Sequence, residues 1–487
     1  MPHKHKAIGV YGDNGPMAQP LHLHPDRLLP TDPGVRGIAR RIYASVASLP
    51  IISPHGHVPP VWIADDMAFS DPVSLLLSPD HYINRLLHAD GVSLSSLGVP
   101  PGTPMSEAQA REAWGIFCSR WPLFRGTPMK YWMESVLVDI FGIDVRPSAE
   151  TANLIYDRIA EALADPGFRP RALMDRFGIE FMATTDDPCD DLSCHSKLAS
   201  DPSFHHRVAP TFRPDRYMEP TRPDWVTSVE LLGEVSGIDT STYAGWIAAM
   251  ENRRAYFTAH GAVSADHGCM DVQTEPLTSD DAEKVYAAAL AGKANAVEAK
   301  ALQQTMLFEQ ARMSADDGLT MTLHPAVYRN HHTETFRTYG PDVGCDIPIS
   351  VEFTRSLQPM LDAFGTNPNF TVVLFTVDET TFSRELAPLA GFYPSVYVGV
   401  PWWFLDAPES IKRFRRAVTE IAGFSRTSGF IDDTRAFLSI PARHDMSRRL
   451  DAGFLAELVA EHRLEEDEAM ETAYDLVAVN PRKVFHV

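Results

Sequence analysis

A histidine pair of the form His-x-His can converge on one cation when it sits in a strand, because residues two apart face the same side. The chain has three such pairs, His3/His5, His22/His24 and His55/His57. The first lies in a charged tail, and the second precedes Pro25 in a turn-like stretch. Only His55/His57 follows an apolar run, in LPIISPHGHVPP, which reads as a strand delivering both imidazoles at its carboxyl end before a Pro-Pro stop. Two imidazoles call for a carboxylate to complete a divalent site. Asp186, Asp187, Asp266, Asp378, Asp432 and Asp433 are the candidates. Asp433, in FIDDTRAFLS, is the best placed, since in a closed barrel the last strand lies beside the first; a helix cap is its plain alternative. Cys189 and Cys194 with His195 match no common zinc spacing, and no second pair completes them.

These side chains need a scaffold that gathers strand ends. Residues 31–48 place Val35, Ile38, Ile42, Tyr43 and Val46 on one face, with Thr31 or Asp32 to cap and Pro33 in the first turn, so an amphipathic helix precedes the His55 strand. From 58 to 175 the patterns are helical, without a convincing strand. Seven further apolar runs follow, within IEFMATTDDP, RVAPTFRPD, GAVSADHG, LTMTLHPAV, FTVVLFTVDE, VYVGVPWWF and SGFIDDTR. Most of them end in polar residues, and helical stretches separate them. Eight strand–helix units with polar residues past the strand ends predict an α/β fold, a (β/α)8 TIM barrel whose active site lies at the C-terminal face of the strands. The expected parts are a flexible N-terminal segment (1–30), the barrel (31–57 and 176–445), a large helical insertion after the first strand (58–175), and C-terminal helices packed on the barrel (446–487). A doubly wound sheet is the alternative, but the Gly-x-Gly-x-x-Gly turn and the Walker loop are both missing.

On this frame His324 in TLHPAV and the adjacent Trp402 and Trp403 fall at strand ends, where an imidazole can bind a substrate and indoles can wall a sugar site. His267 in ADHG has the same placement. With 44% hydrophobic and 22% charged residues the 487-residue chain is expected to fold around a sizeable core. Its net charge of −21 makes nucleic acid or anionic lipid an unfavourable partner. Any acid it binds must be captured inside a pocket by arginines or a metal. The longest strongly apolar stretch, near Val396, is too short to cross a membrane, and the start lacks the apolar segment of a secretory signal. Five scattered cysteines suggest no disulfide framework and fit a reducing cytoplasm. A homo-oligomer is expected.

The ordered segments PHGHVPP, SPDHYINRLL, TTDDP, TFRPDR, ADHG, TLHPAVYRN, VPWWF and DDTRAFLS, followed by RHDMSRR, resemble the uronate (glucuronate) isomerase family, a branch of the amidohydrolase superfamily. The similarity runs from about Leu21 to the C-terminus. It implies an aldose–ketose isomerase that interconverts D-glucuronate with D-fructuronate and D-galacturonate with D-tagaturonate, on a barrel with one divalent metal. By motif, His55, His57 and Asp433 would form the metal site, His81 and Tyr82 the catalytic His-Tyr pair, and Arg213 and Arg435 the substrate-binding arginines. Ser53 stands where family members often carry Asp.

The residues agree with that implication. A uronate carboxylate suits a bidentate arginine grip, and moving a proton between C2 and C1 needs a base, an acid and support for an enediolate. Asp433, Tyr82 with His81, and the metal would supply these, with Asp433 and Tyr82 both open as the group that takes the C2 proton. Zinc is the expected ion, since imidazole and carboxylate suit it. Asp80 before the pair also reads as a helix cap. The rival activities are a mononuclear metal-dependent hydrolase of the same superfamily acting on a small acid, and a non-catalytic sugar-acid binding protein. A bridged dinuclear site is disfavoured because GAVSADHG offers no lysine at the fourth strand end.

Overall fold

The apolar runs form short parallel strands in a computed structural model that describes residues 20–487. They are β1 (Ile51–Ser53), β2 (Ile179–Ala183), β3 (Arg207–Ala209, continued by Thr211–Phe212), β4 (Ser264–Cys269), β5 (Thr320–Pro325), β6 (Val372–Leu374) and β7 (Val396–Val398). Each pairs in parallel with its sequence neighbours, and β3 changes partner midway, its first part on β2 and its second on β4. Every residue of β1, β5, β6 and β7 is buried, as a parallel sheet covered on both faces requires. Connecting helices such as Tyr243–Ala259, Ala296–Asp317 and Pro408–Ala422 follow the strands, giving the (β/α)8 TIM-barrel pattern.

The eighth run, SGFIDDTR, does not form a ladder strand. It passes between β7 and β1 as extended chain: Ser428 N donates to Val398 O at 3.1 Å, and His57 N donates to Thr434 O at 3.0 Å. Left-handed backbone at Gly429 (φ 76°) and Asp433 (φ 40°) interrupts the pairing a strand would need.

Between residues 58 and 175, all of them described, the chain is helical, with helices that include Pro60–Asp65, His81–Ala89, Glu107–Ser119 and Ala152–Leu163. Trp114, Phe117 and Phe124 of this insertion are fully buried in the same apolar cluster as the barrel strands. The helix expected over 31–48 spans Pro33–Val46, with Asp32 accepting from Gly34 N and Val35 N and with Ile42 and Val46 buried.

Of the N-terminal segment expected to be flexible, residues 1–19 lie outside the described residues. Within residues 20–30, Leu21 is buried and its N–H donates to Asp144 O at 2.7 Å. Arg27 reaches Asp445 at 2.9 Å on the helix Ile440–Ala460, which runs across residue 446 without a break. Beyond β5 the chain makes an excursion: Val327–Tyr328 pairs antiparallel with Ile347–Pro348, and the helix Thr333–Tyr339 lies between them.

Candidate active site

The carboxyl ends of the strands surround a cavity of about 440 Å³. His55, His57, His81, Tyr82, Arg213, His324, Trp402, Trp403, Asp433 and Arg435 all line it. The pair His3/His5 lies outside the described residues, and His24 Nδ1 accepts from Asp26 N at 3.0 Å in a surface turn.

His55 and His57 lie just beyond β1, and both imidazoles turn to the same carboxylate. Their Nε2 atoms lie 3.5 and 2.9 Å from the same Asp433 oxygen, Oδ1. The left-handed backbone at Asp433 turns its carboxylate inward at the point where the eighth run leaves the barrel wall. His324, at the end of β5, puts Nε2 3.9 Å from Asp433 Oδ2. Its Nδ1 meets Asp266 Oδ1 at 2.6 Å, and the Thr322 hydroxyl donates to that oxygen at 2.7 Å. With Nδ1–H committed to a carboxylate, Nε2 keeps its lone pair for the cavity.

Among the described residues, His55, His324 and Asp433 form the cluster whose ligand atoms are close enough to hold one metal ion. Asp433 Oδ1, Asp266 Oδ2 and His324 Nε2 are buried without hydrogen-bond partners, so the donor set fits a divalent cation. Burial pushes the His55 imidazole down to about 4, which keeps it neutral and able to ligate. Burial alone would raise the Asp433 carboxyl, but His55, His57 and His324 hold it far below the usual carboxylate range.

Asp80 caps the helix His81–Ala89, accepting from Tyr82 N at 2.9 Å and Ile83 N at 3.2 Å, so the cap expected there also presents the His-Tyr pair. The His81 and Tyr82 rings stack at 4.7 Å. Burial pushes His81 down to about 3 and the Tyr82 phenol well above its ordinary value, so both are neutral near pH 7. Trp403 lies edge-on to His81 at 5.4 Å and Trp402 to His324 at 4.6 Å, which makes the two indoles walls of the cavity.

Both arginines already face carboxylates. Arg213 Nε donates to Asp215 Oδ2 at 2.8 Å and lies 3.5 Å from Asp266 Oδ2. A Cβ at Gly268 would come within 2.9 Å of Arg213 and 2.8 Å of Asp215, so a side chain there would collide with this pair. Arg435 Nη2 donates to Asp342 Oδ2 at 2.8 Å, and Asp342 also meets Arg329 at 3.2 Å. Asp342 and Arg329 belong to the excursion beyond β5.

Sequence reasoning named Asp266 only as one carboxylate among six, gave no role to Arg329 or Arg443, and did not reach Asp342. The motif ADHG carried a signal for Asp266. Arg329 and Arg443 lie within the segments TLHPAVYRN and RHDMSRR, but nothing in their spacing gave either a role, and Asp342 comes from the excursion beyond β5.

The sequence model described as glucuronate isomerase matches residues 35–485. The chain belongs to the glucuronate isomerase family. Within this family it is 58% identical to the uronate isomerase of Cutibacterium acnes over 465 residues, 96% of this chain and 98% of the relative. The crystal structure of glucuronate isomerase from Caulobacter crescentus superposes with a TM-score of 0.93 at 44% identity, covering 96% of this chain and 98% of that one. The uronate isomerase of Thermotoga maritima gives 0.89 at 28% identity, covering 95% and 99%. The glucuronate isomerase likeness thus extends over the barrel, the insertion and the C-terminal helices together.

Proposed function

We propose that the chain interconverts D-glucuronate with D-fructuronate and D-galacturonate with D-tagaturonate, by proton transfer between C2 and C1. The observation that carries this reading is the convergence of His55, His324 and Asp433 in a cavity that also holds Tyr82 and Arg435. His55, His57 and Asp433 would hold one divalent metal, with His324 Nε2 as a further donor, and zinc is the proposed ion because imidazole and carboxylate suit it. When bound, such an ion polarises a carbonyl and stabilises negative charge on its oxygen.

The protein's own groups supply the rest. Arg435 and Arg213 orient the uronate by its carboxylate, through charge-assisted hydrogen bonds. Asp433, whose carboxyl lies well below its ordinary value, is poised to take the C2 proton and return it to C1. Tyr82, kept protonated by burial, donates toward the oxygen where charge develops, with His81 stacked behind it. Trp402 and Trp403 cover the sugar and limit water.

A homo-oligomer in the cytoplasm completes the proposal. The five cysteines are all free thiols, which fits a reducing compartment, and no helix of the described residues is long and apolar enough to cross a membrane. Light scattering measures the oligomeric state.

The deciding assay supplies D-glucuronate and D-galacturonate and reads the ketose product by coupled reduction. Turnover of either, with solvent deuterium appearing at C1 of the ketose, is the expected result. No turnover of both uronates by metal-loaded enzyme would overturn the reading.

A further inference from the structure

Arg443 is 1% exposed, yet it lines the cavity. It lies in RHDMSRR, near the start of the helix Ile440–Ala460, and the reaction described above does not use it. Its guanidinium is held on two sides: Nη1 donates to Asp406 Oδ2 at 2.6 Å, and Nε donates to Ser439 Oγ at 3.0 Å. Its Cζ stands 3.6 Å from the Trp132 ring centre and 5.2 Å from that of Tyr82. Trp132 meets Tyr82 edge to face at 5.7 Å. Asp406, after β7, is 3% exposed, and its Oδ1 has no hydrogen-bond partner among the described residues.

An ion pair buried this deeply costs several kcal/mol of desolvation per ion, and apolar side chains would fill the same space more cheaply. The charge therefore calls for a purpose beyond packing. The nearest group with a chemical task is the Tyr82 phenol.

We propose that Arg443, oriented by Asp406, is a positioning residue for Tyr82, fixing its ring and supplying the positive field against which the phenol exchanges a proton with the developing oxyanion. The inference rests on the proposed role of Tyr82. The balance of charge around that ring agrees with it. Burial drives the phenol upward and Arg443 opposes this, while Asp406 and Asp433 push the other way. On the tyrosine's own helix stand Asp80, His81 and Arg85. A phenol that loses Arg443 is left facing carboxylates across the cavity.

The test is a double-mutant cycle in the metal-loaded enzyme, with kcat and KM measured for D-glucuronate. Arg443→Met is expected to lower kcat by about 10- to 100-fold with KM within about threefold, and Arg443→Lys to restore part of the loss. Asp406→Asn, which keeps shape and volume, should lower kcat in the same sense and serves if Arg443→Met does not fold. In a Tyr82→Phe background each substitution should have almost no further effect on kcat. Equal effects in both backgrounds, or a loss expressed in KM, would overturn this inference alone. An unchanged kcat in Tyr82→Phe itself would overturn the reading beneath it, and this inference with it.

Discussion

Arg435 shows what a single side chain contributes: among the described residues only one of its nitrogens is engaged, on Asp342, and the side chain lines the cavity and is about a third exposed. Replacing it with Met removes a charge-assisted grip on the substrate carboxylate, and KM for a uronate should rise by about tenfold or more. Unchanged Michaelis kinetics would remove the arginine from substrate binding. At this scale the sequence was legible where chemistry follows spacing. His55 and His57, two residues apart, turn to the same carboxylate, and Asp433 follows the last apolar run. It was illegible where register decides. The pairing of β4 with β5 sets Asp266 opposite Thr322 and His324 opposite Gly268, so the carboxylate comes to orient the imidazole, and no pattern along the chain encodes that offset. Arg443 was hidden for a similar reason, since its partner Asp406 belongs to a different strand end.

The elements around the site are tied together by a few buried polar knots. Asp445 accepts from Arg27 at 2.9 Å, Tyr131 at 2.7 Å and Arg449 at 2.8 Å, and also from Tyr43. Residues 20–30, the first helix, the insertion and the helix Ile440–Ala460 therefore meet at one carboxylate. Asp445→Ala strands two guanidinium groups, and should cost about 3–5 kcal/mol, seen as a large drop in melting temperature. A second knot joins β2 to the helix Ser193–Ser200, where His195 Nε2 meets Thr184 Oγ1 at 2.8 Å. Burial pushes His195 down to about 4, so the unfolded chain, with an ordinary histidine, binds the extra proton between about pH 6.5 and 4. Stability should fall as pH drops through that window, by roughly 3 kcal/mol for this residue. His195→Gln should flatten that part of the melting-temperature profile, and an identical profile would disprove the account. Helices and interior strands were readable from periodicity, as the span Pro33–Val46 shows. The eighth strand was not, because backbone reversals at Gly429 and Asp433 override an apolar run of strand length.

For the molecule as a whole, eight apolar runs with polar ends were enough to announce a barrel, because each buried parallel strand leaves the same mark. Closure was expected through an eighth ladder strand, but on either side of residues 428–434 the chain is held by isolated contacts, the Val398–Thr427 bridge with Ser428 N to Val398 O, and His57 N to Thr434 O. A metal at the His55–His324–Asp433 cluster would bridge that seam, linking β1 and β5 to the eighth segment. Chelation should therefore lower the melting temperature as well as abolish turnover, and adding back the ion should restore both. An unchanged melting temperature after verified metal loss would show that the cluster does not stabilise the barrel. The excursion beyond β5 has a different consequence, for traffic through the mouth. Asp342 already holds one nitrogen of Arg435, so a uronate gripped by both nitrogens would compete with that carboxylate, as on an ion-exchange resin whose counter-ion is tethered. A reversible isomerase, whose product keeps the carboxylate of its substrate, needs such a loose hold, and the return of Asp342 to its arginine gives the product a competitor that never diffuses away.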